Sequence, residues 1–132
     1  MPQEDQVREA VERYAAAWAS GDLAATVACY HDDFTLHYFG RNALSGEHRG
    51  KPAALTALGE FSRRSRRRLV SIVTTLAGPE RGAVIAREQL LQENQPVEVE
   101  RVLVYAIQDG LLRECWVFDR DQAQIDAIVG PV

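Results

Sequence analysis

The sequence has few cysteines, no long apolar run and no excess of positive charge. Its two cysteines, Cys29 and Cys115, are too few for the dense disulfide framework of a small secreted domain. Both lie in apolar contexts, VACYH and RECWV, so we expect buried free thiols, with a disulfide or a catalytic thiol as the alternatives. No apolar stretch approaches the roughly 18 residues that a membrane span requires.

The charge balance and the N-terminal segment narrow the expected location and partners. The formal net charge is −4, whereas a general nucleic-acid-binding protein needs a net basic face. The segment MPQEDQVREAVERY begins acidic and has neither the basic nor the apolar region of a secretory signal. We therefore expect a cytoplasmic protein that binds neither nucleic acid nor membrane.

The pattern that the sequence does contain is that of a single α+β domain over residues 1–132. Apolar spacing predicts a first helix that ends at Gly21, a second from Leu23 to about Tyr30, and a third that begins near Pro52. Strand-like segments joined by short turns then predict an antiparallel sheet, and Asp109-Gly110 is its strongest hairpin signal. The predicted strands are Phe34–Phe39, Leu69–Ala77, Ala83–Leu91, Val97–Ile107 and Leu111–Phe118, with a loop over 40–50 and a final helix over about 121–129.

The long strand over 97–107 is apolar on both faces. Val97, Val99 and Leu103 lie on one face, and Val102, Val104 and Ala106 lie on the other. A sheet that helices cover on one side only should alternate apolar and polar residues. The outer face therefore predicts contact with a second subunit, most simply in a twofold homodimer.

Three segments carry a resemblance to known families: ERYAAAWASGDLAATVACYHDDFTLHYFG, LSGEHRGKPAALTAL and DGLLRECWVFDRDQAQIDAI. They resemble the helix ends, the glycine–lysine loop, the hairpin and the closing helix of ketosteroid isomerases and SnoaL-like polyketide cyclases, within the nuclear transport factor 2-like superfamily. The resemblance covers nearly the whole chain. It implies a cone-shaped domain in which three N-terminal helices pack on a curved antiparallel sheet around an apolar pocket, with no cofactor. The resemblance does not indicate which reaction is catalysed, because this fold hosts isomerases, cyclases, hydratases, epoxide hydrolases and non-enzymes.

The resemblance identifies three positions of the isomerase's machinery. Tyr14 occupies the place of the oxyanion-hole tyrosine. The general-base aspartate would fall at position 38 and the second oxyanion donor at position 101, but this chain has Tyr38 and Arg101 there. Steroid isomerisation by that route is therefore not expected.

Counting by two from Arg101 places an acid–arginine–acid set inside the cone if the strands pair as in the family. The set consists of Glu88, Arg101 and Asp119. Limonene-type epoxide hydrolases use a similar set, but they carry an aspartate where this chain has Leu103. SnoaL-type cyclases place a lone aspartate near the end of the last strand, which Asp119 resembles with an offset of one or two residues.

Each member of this set also has a purely structural interpretation. Arg101 and Glu88 can form a cross-strand ion pair, Asp119 can cap the helix that follows it, and Tyr14 can be a core residue. His37 is a candidate pocket base or a structural histidine, and alternation lets only one of His37 and Tyr38 point inward.

The remaining charged residues predict no further site. His31 and His48 fall in polar loops, and no spacing of histidines or acids suits a metal. The arginine run over residues 63–68 is expected to be a solvated helix end, with a site for a phosphate, a carrier-bound substrate or an acidic partner as the alternative.

The leading functional hypothesis is an enzyme that transfers protons on a small, mostly apolar organic molecule, as in isomerisation, cyclisation or elimination. The alternatives are a non-catalytic protein that binds a ligand or scaffolds a partner, and an epoxide hydrolase. The candidate catalytic residues are Asp119, Tyr14, Arg101 and His37. The candidate substrate-binding residues are Trp18, Tyr38, Phe39, Glu88, Leu103 and Val117.

Overall fold

A computed structural model describes residues 3–132. Residues 1 and 2, where the predicted domain and the N-terminal segment begin, lie outside the described residues. The helices are α1 (Glu4–Ser20), α2 (Leu23–Ala28), α3 (Lys51–Ser65) and α4 (Gln122–Val129). The strands are β1 (Tyr30–Tyr38), β2 (Gly46–Arg49), β3 (Arg68–Ala77), β4 (Arg81–Gln92), β5 (Gln95–Gln108) and β6 (Leu111–Asp119).

The first two helices begin and end where their local chemistry requires. Gly21 closes α1 in the left-handed conformation, at φ 73°, which an L side chain adopts only with strain. The side chain of Asp22 then accepts a hydrogen bond from the backbone N–H of Ala25 at 3.0 Å and caps α2. This short turn places α2 beside α1 at one end of the domain.

The strands form one curved, open sheet in the order β2-β1-β6-β5-β4-β3. The meander from β3 to β6 is antiparallel, as predicted. The antiparallel prediction is wrong at one pair, because β1 lies parallel to β6. The loop predicted over 40–50 also contains β2, which pairs antiparallel with β1. The mostly polar sequence of β2, GEHR, lacks an apolar alternation because this edge strand is held by backbone pairing and buries little.

The helices pack on the concave face of the sheet. Val7 and Val11 of α1 are fully buried, and they lie against the start of β4 at Gly82. A Cβ added at Gly82 would lie 2.7 Å from Cγ1 of Val11, so glycine is what lets the helix approach the strand. The fold is thus the α+β cone that the sequence predicted, and within residues 3–132 no helix combines the length and apolarity needed to cross a bilayer.

Candidate functional site

A cavity of about 410 Å³ lies between the concave face of the sheet and helices α1, α2 and α3. Its size falls within the range of small-molecule sites. The exposed lining residues are Gly21, Leu23 and Gly59, so the cavity opens between α2 and α3. Its inner wall comes from strand positions two residues apart, such as Arg101, Leu103 and Tyr105 on β5.

All four tyrosines of the chain line this cavity: Tyr14, Tyr30, Tyr38 and Tyr105. The hydroxyl of Tyr30 donates a hydrogen bond to Oη of Tyr14 at 3.0 Å. The Tyr14 ring packs edge-on against Tyr30 and Tyr105, with centroids 5.6 and 5.3 Å away.

Burial raises the pKa of each of these tyrosines. The pKa values of Tyr30 and Tyr105 lie well above the ordinary value of 10.0. The phenols therefore stay protonated at neutral pH and act as hydrogen-bond donors, not as bases.

Arg101 is held from several sides behind the cavity wall. Its Nε and Nη2 lie 2.6 and 3.1 Å from the two carboxylate oxygens of Asp119, which is its direct partner across β5 and β6. Nη2 also donates to Oη of Tyr38 at 3.0 Å, and Nη1 lies 3.5 Å from Oε2 of Glu88. The sequence thus correctly predicted that Glu88, Arg101 and Asp119 come together.

The two carboxylates of this set do not line the cavity. Asp119 is 3% exposed at its side chain, with both oxygens bonded to Arg101, and Glu88 is fully buried between Arg101 and Arg67. This geometry argues against Asp119 as a general base in contact with a ligand. It equally leaves no carboxylate of the set placed to activate water or to protonate an epoxide in the cavity. The helix-cap interpretation of Asp119 is also wrong, because Asp121 caps α4 through the backbone N–H of Gln124.

Two further candidates lie outside the cavity. His37 points to the outer face of the sheet, where Nε2 is 2.7 Å from Glu114 and its ring stacks on Trp116 at 5.1 Å. Alternation gives the inward position to Tyr38, so the prediction of His37 as a pocket base is corrected. Phe39 is 41% exposed and packs against Phe118 on the same outer face, so it does not line the cavity either.

The other predicted side chains do line the cavity. They are Tyr14, Trp18, Tyr38, Arg101, Leu103 and Val117. Cys115 joins them, and burial raises the pKa of its thiol to about 12, so it is a protonated wall residue. Cys29 and Cys115 are both free and buried, which confirms the prediction of core thiols.

Arg67 also lines the cavity, which the sequence did not predict. The arginine run was expected to lie in solvent, but α3 ends at Ser65, Arg66 turns the chain in the left-handed conformation at φ 52°, and Arg67 points into the cavity. Nε of Arg67 lies 2.6 Å from Oε1 of Glu88. The sequence did contain a signal for this orientation. Arg67 lies two residues before Leu69, the inward residue at the start of β3, and residues two apart on an extended strand point to the same face.

Comparison with known proteins places this geometry in a family. The model of the SnoaL-like domain matches residues 11–115. A search of curated proteins finds no significant match to the chain.

Several solved structures share the fold. A nuclear transport factor 2-like protein from Burkholderia xenovorans LB400 is similar at 18% identity, with 98% of this chain and 100% of that chain covered and a TM-score of 0.77. A protein described as a SnoaL-like polyketide cyclase from Jannaschia sp. CCS1 is 19% identical, with 100% and 97% covered and a TM-score of 0.74. TerC, co-crystallised with polyporic acid, is 15% identical, with 95% and 99% covered and a TM-score of 0.76. The chain therefore belongs to the SnoaL-like domain family and has the nuclear transport factor 2-like fold.

Proposed function

We propose that the protein is a cofactor-independent enzyme that promotes proton transfer on a small, mostly apolar molecule with an enolisable carbonyl, as an isomerase or cyclase does. The observation that carries the proposal is the apolar cavity with protonated tyrosine hydroxyls in its wall. Such a cavity binds an apolar body and presents donors to the oxygen on which charge develops. The related proteins described as SnoaL-like polyketide cyclases support a reaction of this class.

Tyr14 is the donor that we assign to the substrate oxygen. Because Tyr14 accepts its hydrogen bond from Tyr30, the proton of Tyr14 itself is available for a ligand. Loss of a proton from the carbon next to the carbonyl produces an enolate, whose oxygen then accepts a stronger hydrogen bond from Tyr14. This difference between ground state and transition state is what lowers the barrier.

The proton acceptor in this proposal is water at the cavity mouth. Among residues 3–132, no carboxylate or imidazole lines the cavity, and Asp119 is bound to Arg101. The substrate must therefore be acidic enough to lose its proton once the enolate is stabilised. Asp119 and Arg101 act through Tyr38 as positioning residues.

The test is exchange of substrate hydrogen for deuterium, followed by NMR in heavy water on a panel of enones and 1,3-diketones. We expect exchange to be accelerated by the native protein and to fall about a hundredfold or more in Tyr14→Phe. Tyr30→Phe is the matched control, because it removes one phenolic hydroxyl but leaves that of Tyr14. Its exchange rate should fall about tenfold or less. Equal losses in the two variants would contradict the role of Tyr14, and no acceleration across the panel would contradict the reaction class.

The second candidate function is a non-catalytic carrier of a small apolar ligand. The lack of a carboxylate or imidazole among the described lining residues favours it. TerC was crystallised with polyporic acid, which supports a small organic ligand for either function. Native mass spectrometry separates them, because a carrier retains a co-purified ligand and shows no exchange.

We also propose that a second copy of the chain covers the outer face of the sheet. Phe39, Phe118 and Leu76 are 41%, 48% and 54% exposed on this face, and Val102 and Val104 are half-buried between them. Charges of both signs flank the apolar strip: Arg81, Arg87, Glu100 and Glu114. A twofold axis places one patch against itself, so an apolar centre with both signs of charge at its edges is self-complementary.

A further inference from the structure

Arg67 is the cationic side chain in the cavity that retains unused donors. Its guanidinium uses Nε to bind Oε1 of Glu88 at 2.6 Å. Among residues 3–132, no protein acceptor bonds to its Nη1 or Nη2, and the side chain remains 17% exposed at the cavity wall. Two terminal nitrogens with four N–H groups thus remain available for a ligand at the cavity wall.

Arg101 differs from Arg67 in this respect. Arg101 donates from two of its nitrogens to Asp119. Its terminal nitrogens also contact Tyr38 and Glu88. Arg101 is 2% exposed, so it faces the protein more than the cavity. Of the two arginines that line the cavity, Arg67 is the one placed to bind a ligand.

Aromatic rings fix the position of the Arg67 guanidinium. Its Cζ lies 5.3 Å from the ring centroid of Trp18 and 5.0 Å from that of Phe61. Burial lowers the pKa of Arg67, but the charge of Glu88, its hydrogen bond and Tyr14 together raise the pKa on balance, so the charge is retained. A planar guanidinium held between apolar rings forms strong charge-assisted hydrogen bonds to oxygens with negative charge.

We propose that Arg67 binds an acidic oxygen of the ligand, either a carboxylate or an ionised phenol or enol, while the apolar wall takes the rest of the molecule. The inference rests on the proposed function in one respect, that the cavity accepts a small, mostly apolar molecule. It adds the substrate class, an apolar organic acid, and it assigns the residue that recognises that class.

The test is calorimetric binding of 2-naphthoate and of 2-naphthamide, which have the same ring system and differ in charge. We expect the native protein to bind 2-naphthoate about ten- to a hundredfold more tightly, since a hydrogen bond to a charged group exceeds a neutral one. Arg67→Gln should remove this preference and leave 2-naphthamide binding within about threefold. Arg68→Gln is the matched control, because it removes the same charge from an exposed neighbour, and it should keep the preference.

A further arm distinguishes the two kinds of acidic oxygen. Binding of 2-naphthol is measured below and above the pH at which it ionises. Tighter binding of the phenolate assigns the site to an ionised phenol or enol, and a preference for 2-naphthoate alone assigns it to a carboxylate.

Loss of Arg67 leaves Glu88 without its closest partner, so Arg67→Gln can fail to fold. The double variant Arg67→Gln/Glu88→Gln removes the pair together and keeps the net charge of the cluster. It should bind both naphthalene probes equally. Glu88→Gln alone, which frees Nε of Arg67, should tighten 2-naphthoate binding.

Equal affinity of the native protein for 2-naphthoate and 2-naphthamide would overturn the inference, as would an unchanged preference in both Arg67 variants. Failure of both probes to bind would overturn it together with the premise of an apolar ligand. A protein that prefers 2-naphthoate but accelerates no deuterium exchange would support the inference and contradict only the proposed enzyme.

Discussion

Arg101 and Asp119 face each other directly across β5 and β6, and two nitrogens of the arginine meet the two carboxylate oxygens at 2.6 and 3.1 Å. The pair is buried, with side-chain exposures of 2% and 3%. A buried ion pair adds little net stability compared with apolar residues, but removal of one partner leaves an uncompensated charge. The pair therefore predicts that the two possible roles of Asp119, base and support for Arg101, have different experimental signatures.

The first prediction concerns Asp119→Asn. We expect it to lower the free energy of unfolding by about 3 kcal/mol, because Arg101 stays charged and buried after it loses its closest counterion and keeps only the longer contact to Glu88 at 3.5 Å. Urea denaturation measures this change, and Asp121→Asn is the control, since asparagine caps a helix as well as aspartate does. An unchanged unfolding free energy, accompanied by a hundredfold loss of turnover, would instead identify Asp119 as the base.

The second prediction concerns pH. The four tyrosines have pKa values above 10.0 in the folded state, so the folded protein holds protons that the unfolded chain releases. Their contribution to stability is fully present below pH 10 and is lost as pH rises through the folded pKa values.

Phenolate absorbance reports the ionisation of these four tyrosines directly, because the chain has no tyrosine outside the cavity. The absorbance should rise together with unfolding, above the pH at which free tyrosine ionises. A phenolate signal near pH 10 from a protein that remains folded would contradict burial of these side chains.

The third prediction concerns Gly59, an exposed glycine within α3 at the cavity mouth. A Cβ added there meets nothing within 4 Å, so Gly59→Ala should stabilise the protein by about 0.5–1 kcal/mol through the higher helix propensity of alanine. Gly59→Phe should narrow the mouth and weaken 2-naphthoate binding about tenfold or more. The control is Ala53→Phe, at an exposed position of α3 that does not line the cavity. Equal binding by the two phenylalanine variants would show that ligands enter elsewhere.

The fourth prediction concerns the outer face of the sheet. Phe118→Arg should convert a dimer to a monomer in sedimentation velocity. The substitution replaces an apolar ring with a charged side chain, and the twofold axis brings one such charge from each copy into the apolar strip. Leu23→Arg, at a residue that is 76% exposed at the cavity mouth, should leave the mass unchanged. A monomeric native protein would contradict the proposed second copy.

The extent to which the site could be predicted is clearest from its arginines. Arg101 was predicted to be internal because the family resemblance gives it a pocket position, and strand alternation then orients the rest of β5 from that one residue. Arg67 was not, because a charged run at a helix end has the composition of a solvated surface. Its orientation follows from the left-handed turn at Arg66, which propensity alone does not predict for arginine.

The other differences between prediction and structure also concern features that local sequence does not determine. Alternation predicted that only one of His37 and Tyr38 points inward, but composition could not say which. The parallel pairing of β1 with β6 joins segments about eighty residues apart, and no local pattern encodes such a pairing. Hydrogen-bond partners, such as those that engage Asp119, depend on this long-range arrangement.

That pairing also has a consequence for how the chain acquires its structure during synthesis. β1 is made early, but its parallel neighbour β6 leaves the ribosome only after residues 111–119 are translated. Until then the four-residue β2 is the one strand available to pair with β1. Until β6 is made, one backbone edge of β1 therefore lacks its partner strand, and unpaired strand edges favour aggregation.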